Sequence, residues 1–292
     1  MEIFDIAVVG QGPAGLSAAL NASIRHKSVL LLGPETSEKL NRAERVDNYL
    51  GLEAISGKEL LKTFQKQVEK RENIHFIHQR VETIYDMGDY IGLLLGDNEI
   101  LKAKAVVLAT GVHFGQLIPG EEEFLGRGVS SCVICDAALY KNKPCVLVGY
   151  TQEAGEEANF LSDYASSLVF VNRTDKSFVL KEGIRETKAK PLRIEGDIKA
   201  RRIILEDERI EGDGFFFLHE AKKADSLVPG LILDGSHIQV DEKMQTNLKG
   251  IFAAGDVVGP PYQVMIATGR GQLAGLEAAS YVAKIDVSYD MP

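Results

Sequence analysis

Residues Ile3 to Gly15 read IFDIAVVGQGPAG. An apolar run from Ile3 to Val9 enters a turn with glycines at 10, 12 and 15. Leu16 to Ile24 is rich in Ala and Leu and reads as a helix, and Val29 to Leu32 reads as a second buried strand. Strand, glycine turn, helix and strand, in that order, form the unit that binds a dinucleotide. Each glycine has a physical reason. Gly10 allows the tight turn, Gly12 lets the backbone approach a pyrophosphate, and Gly15 lets helix and strand pack closely. Pro13 and Ala14 complete the turn, and the helix N-terminus faces the phosphate charge. The bland alternative is the same unit with no ligand, but the context on both sides favours the ligand. One place departs from the pattern. The acidic residue expected at the end of the second strand, to hold a ribose, is Gly33, and Glu35 is the nearby candidate.

Two later stretches fit the same site. Lys104 to Gly111 (KAVVLATG) is another buried strand and ends in Thr110-Gly111. Thr246 to Val257 (TNLKGIFAAGDV) carries a strand over Ile251 to Ala254 that runs into Gly255-Asp256. A carboxylate just past a strand end accepts hydrogen bonds from cofactor hydroxyls. Val264 to Val282 (VMIATGRGQLAGLEAASYV) then reads as a helix rich in small residues, whose first amides meet polar atoms of a cofactor.

Composition narrows the class. At 292 residues the chain has room for two domains, and 45% apolar with 26% charged residues is ordinary for a globular enzyme. The net charge of -9 argues against general nucleic-acid binding. No apolar run approaches the ~20 residues of a membrane helix. The N-terminus enters a strand at once with Glu2 and Asp5 beside it, unlike a signal peptide, so a cytoplasmic location is expected. Three cysteines are too few for a secreted disulfide framework.

Ser131 to Asp136 reads SCVICD. Two cysteines two residues apart at a helix start close a small disulfide, and the helix N-terminus favours the thiolate. Asp136 follows directly and is placed to give or take a proton. The other reading is half of a zinc site. It needs a second CxxC or Cys/His pair, and the only other cysteine is Cys145, in the apolar strand PCVLVG. Cys145 reads as a buried, inert thiol. No metal is expected.

GQGPAG, VDNYLG (Val46 to Gly51), LATG (Leu108 to Gly111), SCVICD and GIFAAGDV stand in an order and spacing that covers nearly the whole chain. The chain thereby resembles the two-dinucleotide-binding-domain flavoproteins, and among them the low-molecular-weight thioredoxin reductases. The resemblance implies an α/β fold of two Rossmann-like domains with FAD as cofactor. Residues 1–112 and 243–292 would form a discontinuous FAD domain, and 113–242 an inserted domain of degenerate NADPH type. It also implies a homodimer, a flavin ring near Asn48 and Gln263, and thioredoxin as the partner. Cys135 would face the flavin, Cys132 would attack the protein disulfide, and Cys135 would resolve the mixed disulfide.

The inserted domain keeps its frame but not its chemistry. Strand Cys145 to Val148, helix Glu156 to Ser162 and strand Leu168 to Val171 surround VGYTQEA (Val148 to Ala154). Thr151 stands at the second glycine position, where a Cβ obstructs approach to a pyrophosphate. Where the family has His-Arg-Arg to hold a 2′-phosphate, this chain has Asn172-Arg173-Thr174, with Asp175 beside them. The pattern resembles the ferredoxin-dependent flavin thioredoxin reductases, which lack the NADPH motifs. The expected path is ferredoxin to FAD to the Cys132–Cys135 disulfide to thioredoxin. The rivals are an NADPH enzyme with a divergent nucleotide site, a diflavin-linked disulfide oxidoreductase, and a redox sensor without turnover.

Overall fold

The computed structural model describes residues 3–34, 38–41, 43–112, 117–219 and 227–289. The chain divides into two compact units. The first comprises Met1–Asn41, Arg45–Val112 and Lys222–Pro292, and the second Arg42–Glu44 and His113–Ala221.

The first unit begins with β1 (Ile3–Val9), α1 (Pro13–Ile24) and β2 (Val29–Leu32). It continues through α2 (Glu38–Asn41), α3 (Gly57–Val68), β3 (Ile74–Ile77), β4 (Val81–Asp86), β5 (Ile91–Leu95) and β6 (Ile100–Leu108). Strands β3, β2, β1 and β6 pair in parallel in that order. β6 is long enough to serve two neighbours on one edge. Its first half pairs antiparallel with β5, which in turn pairs with β4. Its last residues pair with a strand from the far end of the chain, described below. β2 is buried at all four positions, as a parallel strand covered on both faces must be. α3 starts at a capping box, in which Ser56 and Glu59 each satisfy the other's backbone amide.

The second unit contains β7 (Val129–Ser130), α4 (Val133–Asp136), β8 (Pro144–Gly149), α5 (Ala154–Ser162), β9 (Ser167–Asn172) and β10 (Ile184–Thr187). Then come β11 (Pro191–Gly196), β12 (Ala200–Leu205), β13 (Arg209–Glu211) and β14 (Gly214–Leu218). Its main sheet is parallel throughout, in the order β10-β9-β8-β14-β7. The run GFFFL in β14 shows how both faces are used, since successive strand side chains point to opposite sides. Phe215 and Phe217 pack with Ile194, Ile203 and Leu205 of the small antiparallel sheet β11-β12-β13. Phe216 packs on the other face with Val133 of α4 and Leu161 of α5.

The chain then returns to the first unit as β15 (Leu233–Asp234), β16 (His237–Ile238), β17 (Ile251–Ala253) and α6 (Val264–Tyr289). β17 completes the edge of β6 in parallel. Val228, Leu231 and Ile238 are buried in the core of the first unit with Ile84 and Leu93, so the described residues 227–242 group with it. Two elements start differently from the sequence reading. α1 begins at Pro13 and α5 at Ala154, each within its glycine-type turn. Among the described residues no helix is long and apolar enough to cross a membrane.

Candidate active site

In the first unit, β1, β6 and β17 end at one level. Val9 is in register with Leu108, and Leu108 with Ala253. The segments past these ends, Gly10 to Gly15, Thr110-Gly111 and Gly255-Asp256, therefore share the carboxyl edge of the sheet, where open α/β folds bind ligands. Two glycines of the turn have no room for a side chain. A Cβ on Gly10 (φ +120°) would lie 2.2 Å from the Ala109 carbonyl oxygen, and one on Gly15 would lie 1.7 Å from that of Gly10. Gly255 (φ +81°) sits against the first turn of α1, where a Cβ would meet the Ala14 methyl at 2.7 Å. Glycines 271 and 275 let α6 lie on the α1 backbone in the same way.

Gly12 is the N-cap of α1, Pro13 its first residue, and neither a side-chain cap nor an acidic residue occupies its first turn. Such an end leaves backbone donors and a partial positive charge to an incoming anion. The Gln11 side chain is buried and donates to the Gly33 carbonyl at 2.7 Å, which ties the turn to the end of β2. Glu35, the ribose candidate, lies outside the described residues.

Other predicted positions fall as follows. Asp256 is reached by Lys39, whose Nζ donates to Oδ2 at 2.9 Å and sits 4.6 Å from the Tyr262 ring centre. The Tyr262 hydroxyl lies 2.6 Å from His237 Nε2. The Gln263 carbonyl accepts from the Ala267 amide at the start of α6, and Val264 is its first residue. Arg270 holds the preceding loop through the Gly259 and Pro260 carbonyls. Asn48 is exposed on the loop before α3, and its neighbour Tyr49 packs on Phe64 of α3 at 5.5 Å. Sequence reading missed Lys39 and His237. Each acts through a partner distant in the chain, which no local motif reveals.

In the second unit, Cys132 and Cys135 form a disulfide with Cα atoms 5.4 Å apart. Cys132 caps α4, and its Sγ accepts from the Cys135 amide at 3.3 Å. Ser130, at the end of β7, was also missed. Its hydroxyl donates to Asp136 Oδ2 at 2.6 Å and accepts from the Cys132 amide at 3.1 Å. Burial raises the Asp136 pKa, and the Ser130 hydrogen bond opposes that rise. Tyr140, packed edge-on against Phe216, is raised strongly by burial, with the Asp136 charge adding to it. Cys145 is buried, and burial pushes its thiol up to about 12, which keeps it protonated and inert.

The degenerate turn lies past the ends of β8, β9 and β14. Gly149 must stay glycine because a Cβ would meet the Ala154 methyl at 2.3 Å. Tyr150 stacks on His219 with ring centres 4.8 Å apart, and His219 Nε2 lies 2.5 Å from the buried Glu121 carboxylate. Asn172 is buried and spends its side chain on the protein itself. It donates to the Lys176 carbonyl and to Glu186, and accepts from the amide and hydroxyl of Thr174. Arg173 donates to the Lys188 carbonyl. Glu153 is the N-cap of α5, and Glu156 and Glu157 lie in its first turn. Burial raises the Glu157 pKa, and the charges of Glu153 and Glu156 add to the rise. The two turns differ in charge: the first turn of α1 holds no acid, whereas α5 starts with Glu153 as its N-cap and Glu156 and Glu157 in its first turn.

The model of the pyridine nucleotide-disulphide oxidoreductase family matches residues 4–271. The chain belongs to that family. Within the family it is 32% identical to the thioredoxin reductase of Listeria monocytogenes, over 99% of this chain and 97% of the relative. A crystal structure of a ferredoxin-flavin thioredoxin reductase from Clostridium acetobutylicum is 42% identical, with a TM-score of 0.60, covering 98% of this chain and all of the other. The thioredoxin reductase of Streptococcus pyogenes is 29% identical with a TM-score of 0.87, covering 97% and 99%. Membership makes this chain a flavin-dependent disulfide oxidoreductase, and FAD is the family's cofactor. The residues present fit it: a tight glycine turn opens a helix whose end has no side-chain cap and no carboxylate in its first turn.

Proposed function

We propose that this chain is a thioredoxin reductase whose electrons come from ferredoxin and not from a pyridine nucleotide. The observation that carries the donor assignment is the electrostatic reversal at α5. A pyrophosphate there would meet Glu153, Glu156 and Glu157, with a Thr151 side chain where close backbone approach is needed. The residues placed for a 2′-phosphate, Asn172 and Arg173, are engaged with the chain's own groups. Hydrogen bonds to a charged group are worth about 1.5–3 kcal/mol each, so their loss together removes most of a nucleotide's hold. The likeness to the Clostridium ferredoxin-flavin enzyme supports the same reading.

In this reading the first unit binds FAD. Gly10, Gly12, Pro13, Ala14 and Gly15 take the pyrophosphate, and Glu35 the ribose. Asn48, Thr110, Gly111, Gly255, Asp256, Gln263 and Val264 border the rest. Lys39 fixes the Asp256 carboxylate. When bound, FAD supplies a carrier that accepts electrons singly and gives them up in pairs.

The chain's own chemistry is thiol–disulfide exchange. With the pair reduced, the Cys132 thiolate attacks the thioredoxin disulfide and displaces one thioredoxin thiolate. The Cys135 thiolate then attacks the Cys132 sulfur of the mixed disulfide and releases the second. Two electrons leave the dithiol and two protons go to the thioredoxin thiolates. Asp136 holds and passes a proton, and Ser130 aims it. The chain acts as a homodimer in the cytoplasm, a part of the reading supported by the family resemblance. The test is thioredoxin reduction driven by reduced ferredoxin. Cys132→Ser and Cys135→Ser should each abolish it while flavin absorbance stays normal. Full turnover in either variant would sink the assignment.

A further inference from the structure

We infer that one face of α3 is the docking surface for the acidic iron–sulfur protein that feeds the flavin. Lys58, Lys62 and Lys66 recur every four residues, so they form a row on a single helix face, and Lys70 follows just past the helix. All four are exposed, and none joins an ion pair among the described residues. What sets the row apart is its spacing on one helix face, since other exposed lysines, Lys243 and Lys249 among them, also form no ion pair among the described residues. Lys27, Lys39, Lys104, Lys181 and Lys199 each have a carboxylate partner. Like charges four apart oppose helix formation. Glu59, the acid nearest the row in the first turn, is bound to Ser56 in the capping box. Glu69, three residues past Lys66, lies on the same side at the C-terminal end of the helix and forms no ion pair with it among the described residues.

The partner's chemistry follows from charge. A chain of net charge -9 repels an acidic protein over most of its surface, so an unpaired basic row fixes where such a protein can approach. Position then says why it would approach there. The opposite face of α3 is its packed one, with Leu60, Leu61 and Val68 buried. Phe64, on the same side, meets Tyr49, the neighbour of Asn48. Asn48 borders the flavin ring in the reading above. The inference rests on that reading and adds the site and the chemistry of donor contact. An acidic ferredoxin seated on the row would stand one helix width, about 10 Å, from the flavin-bordering loop.

The experiment is rapid-mixing reduction of the full-length holoenzyme by reduced ferredoxin, at low and high salt. It compares wild type, K58E/K62E/K66E, the neutral K58Q/K62Q/K66Q and a charge-matched control, K243E/K249E/K284E, on exposed lysines of the same unit. The docking account expects the row reversal to slow reduction at least tenfold at low salt and to flatten its salt dependence. The neutral variant should fall between, the control should stay within about threefold, and dithionite should reduce all four alike. Equal slowing by the control, or wild-type rates in the row reversal, would overturn the docking face while leaving ferredoxin as donor. No reduction of wild type by ferredoxin would overturn the donor reading and this inference with it. Salt-sensitive capture of wild type by anionic lipid vesicles, with unchanged ferredoxin rates in K58E/K62E/K66E, would reassign the row to a membrane surface.

Discussion

The Ser130 hydroxyl bridges the Asp136 carboxylate, at 2.6 Å, and the amide of Cys132, at 3.1 Å. One side chain from the end of a strand thus fixes both the proton-holding group and the first cysteine of the redox pair. Ser130→Ala should cost about 1–2 kcal/mol, since it leaves a half-buried carboxylate without its donor. It should also slow thioredoxin reduction several-fold. Thermal melts and steady-state turnover with reduced ferredoxin check both.

Asp136 makes stability depend on pH with a defined sign. Its folded-state pKa is raised by burial, so the folded protein holds the proton more tightly than the unfolded chain. The stability from that proton is fully present below the ordinary carboxylate pKa of 3.8 and is lost as pH rises through the raised value. Asp136→Asn should therefore melt higher than wild type at neutral pH, with the difference vanishing in acid. Turnover should nevertheless fall tenfold or more, because a proton carrier has gone. An Asn variant that melts lower at pH 7 and keeps full turnover would contradict both roles.

Gly15→Ala should empty the first unit of flavin. The added Cβ would sit 1.7 Å from the Gly10 carbonyl oxygen, a backbone atom that cannot swing aside as a side chain would. Overpacking of this kind costs about 1–3 kcal/mol or more. The ratio of flavin to protein absorbance in the purified variant reports the loss.

Much of this was legible in the sequence, and the rest was hidden for physical reasons. The glycine turn of α1, the strands β2, β8 and β17 and the CxxC cap each show within a dozen residues, because one local pattern determines them. The Asn172 web does not, because its partner Glu186 arrives only when β10 pairs with β9. The Lys39–Asp256 pair joins residues 217 apart. The packing of Val228, Leu231 and Ile238 in the core of the first unit was hidden as well, because they are too scattered to read as a core segment. The glutamates of α5 were in plain view but acquired meaning only once the helix was found to start at Ala154, which puts two of them in its first turn.

That placement gives a gain-of-function prediction. Thr151→Gly with Glu153→Gln, Glu156→Gln and Glu157→Gln restores backbone access and removes the repulsion at the helix end. NADPH binding, followed by calorimetry or flavin fluorescence, should strengthen about tenfold or more over wild type. Affinity should stay weak while Asn172 and Arg173 remain engaged with the chain. No change in binding would mean that the carboxylates are not what keeps a nucleotide out.

The most direct test of the donor assignment is anaerobic absorption spectroscopy of the oxidised holoenzyme. NADPH, NADH and photoreduced ferredoxin are added to separate cuvettes. Rapid loss of the flavin band with ferredoxin, and none with either nucleotide, is the predicted result. Rapid bleaching by NADPH would mean that the turn before α5 still admits a nucleotide, and the chain would be an ordinary NADPH-driven reductase.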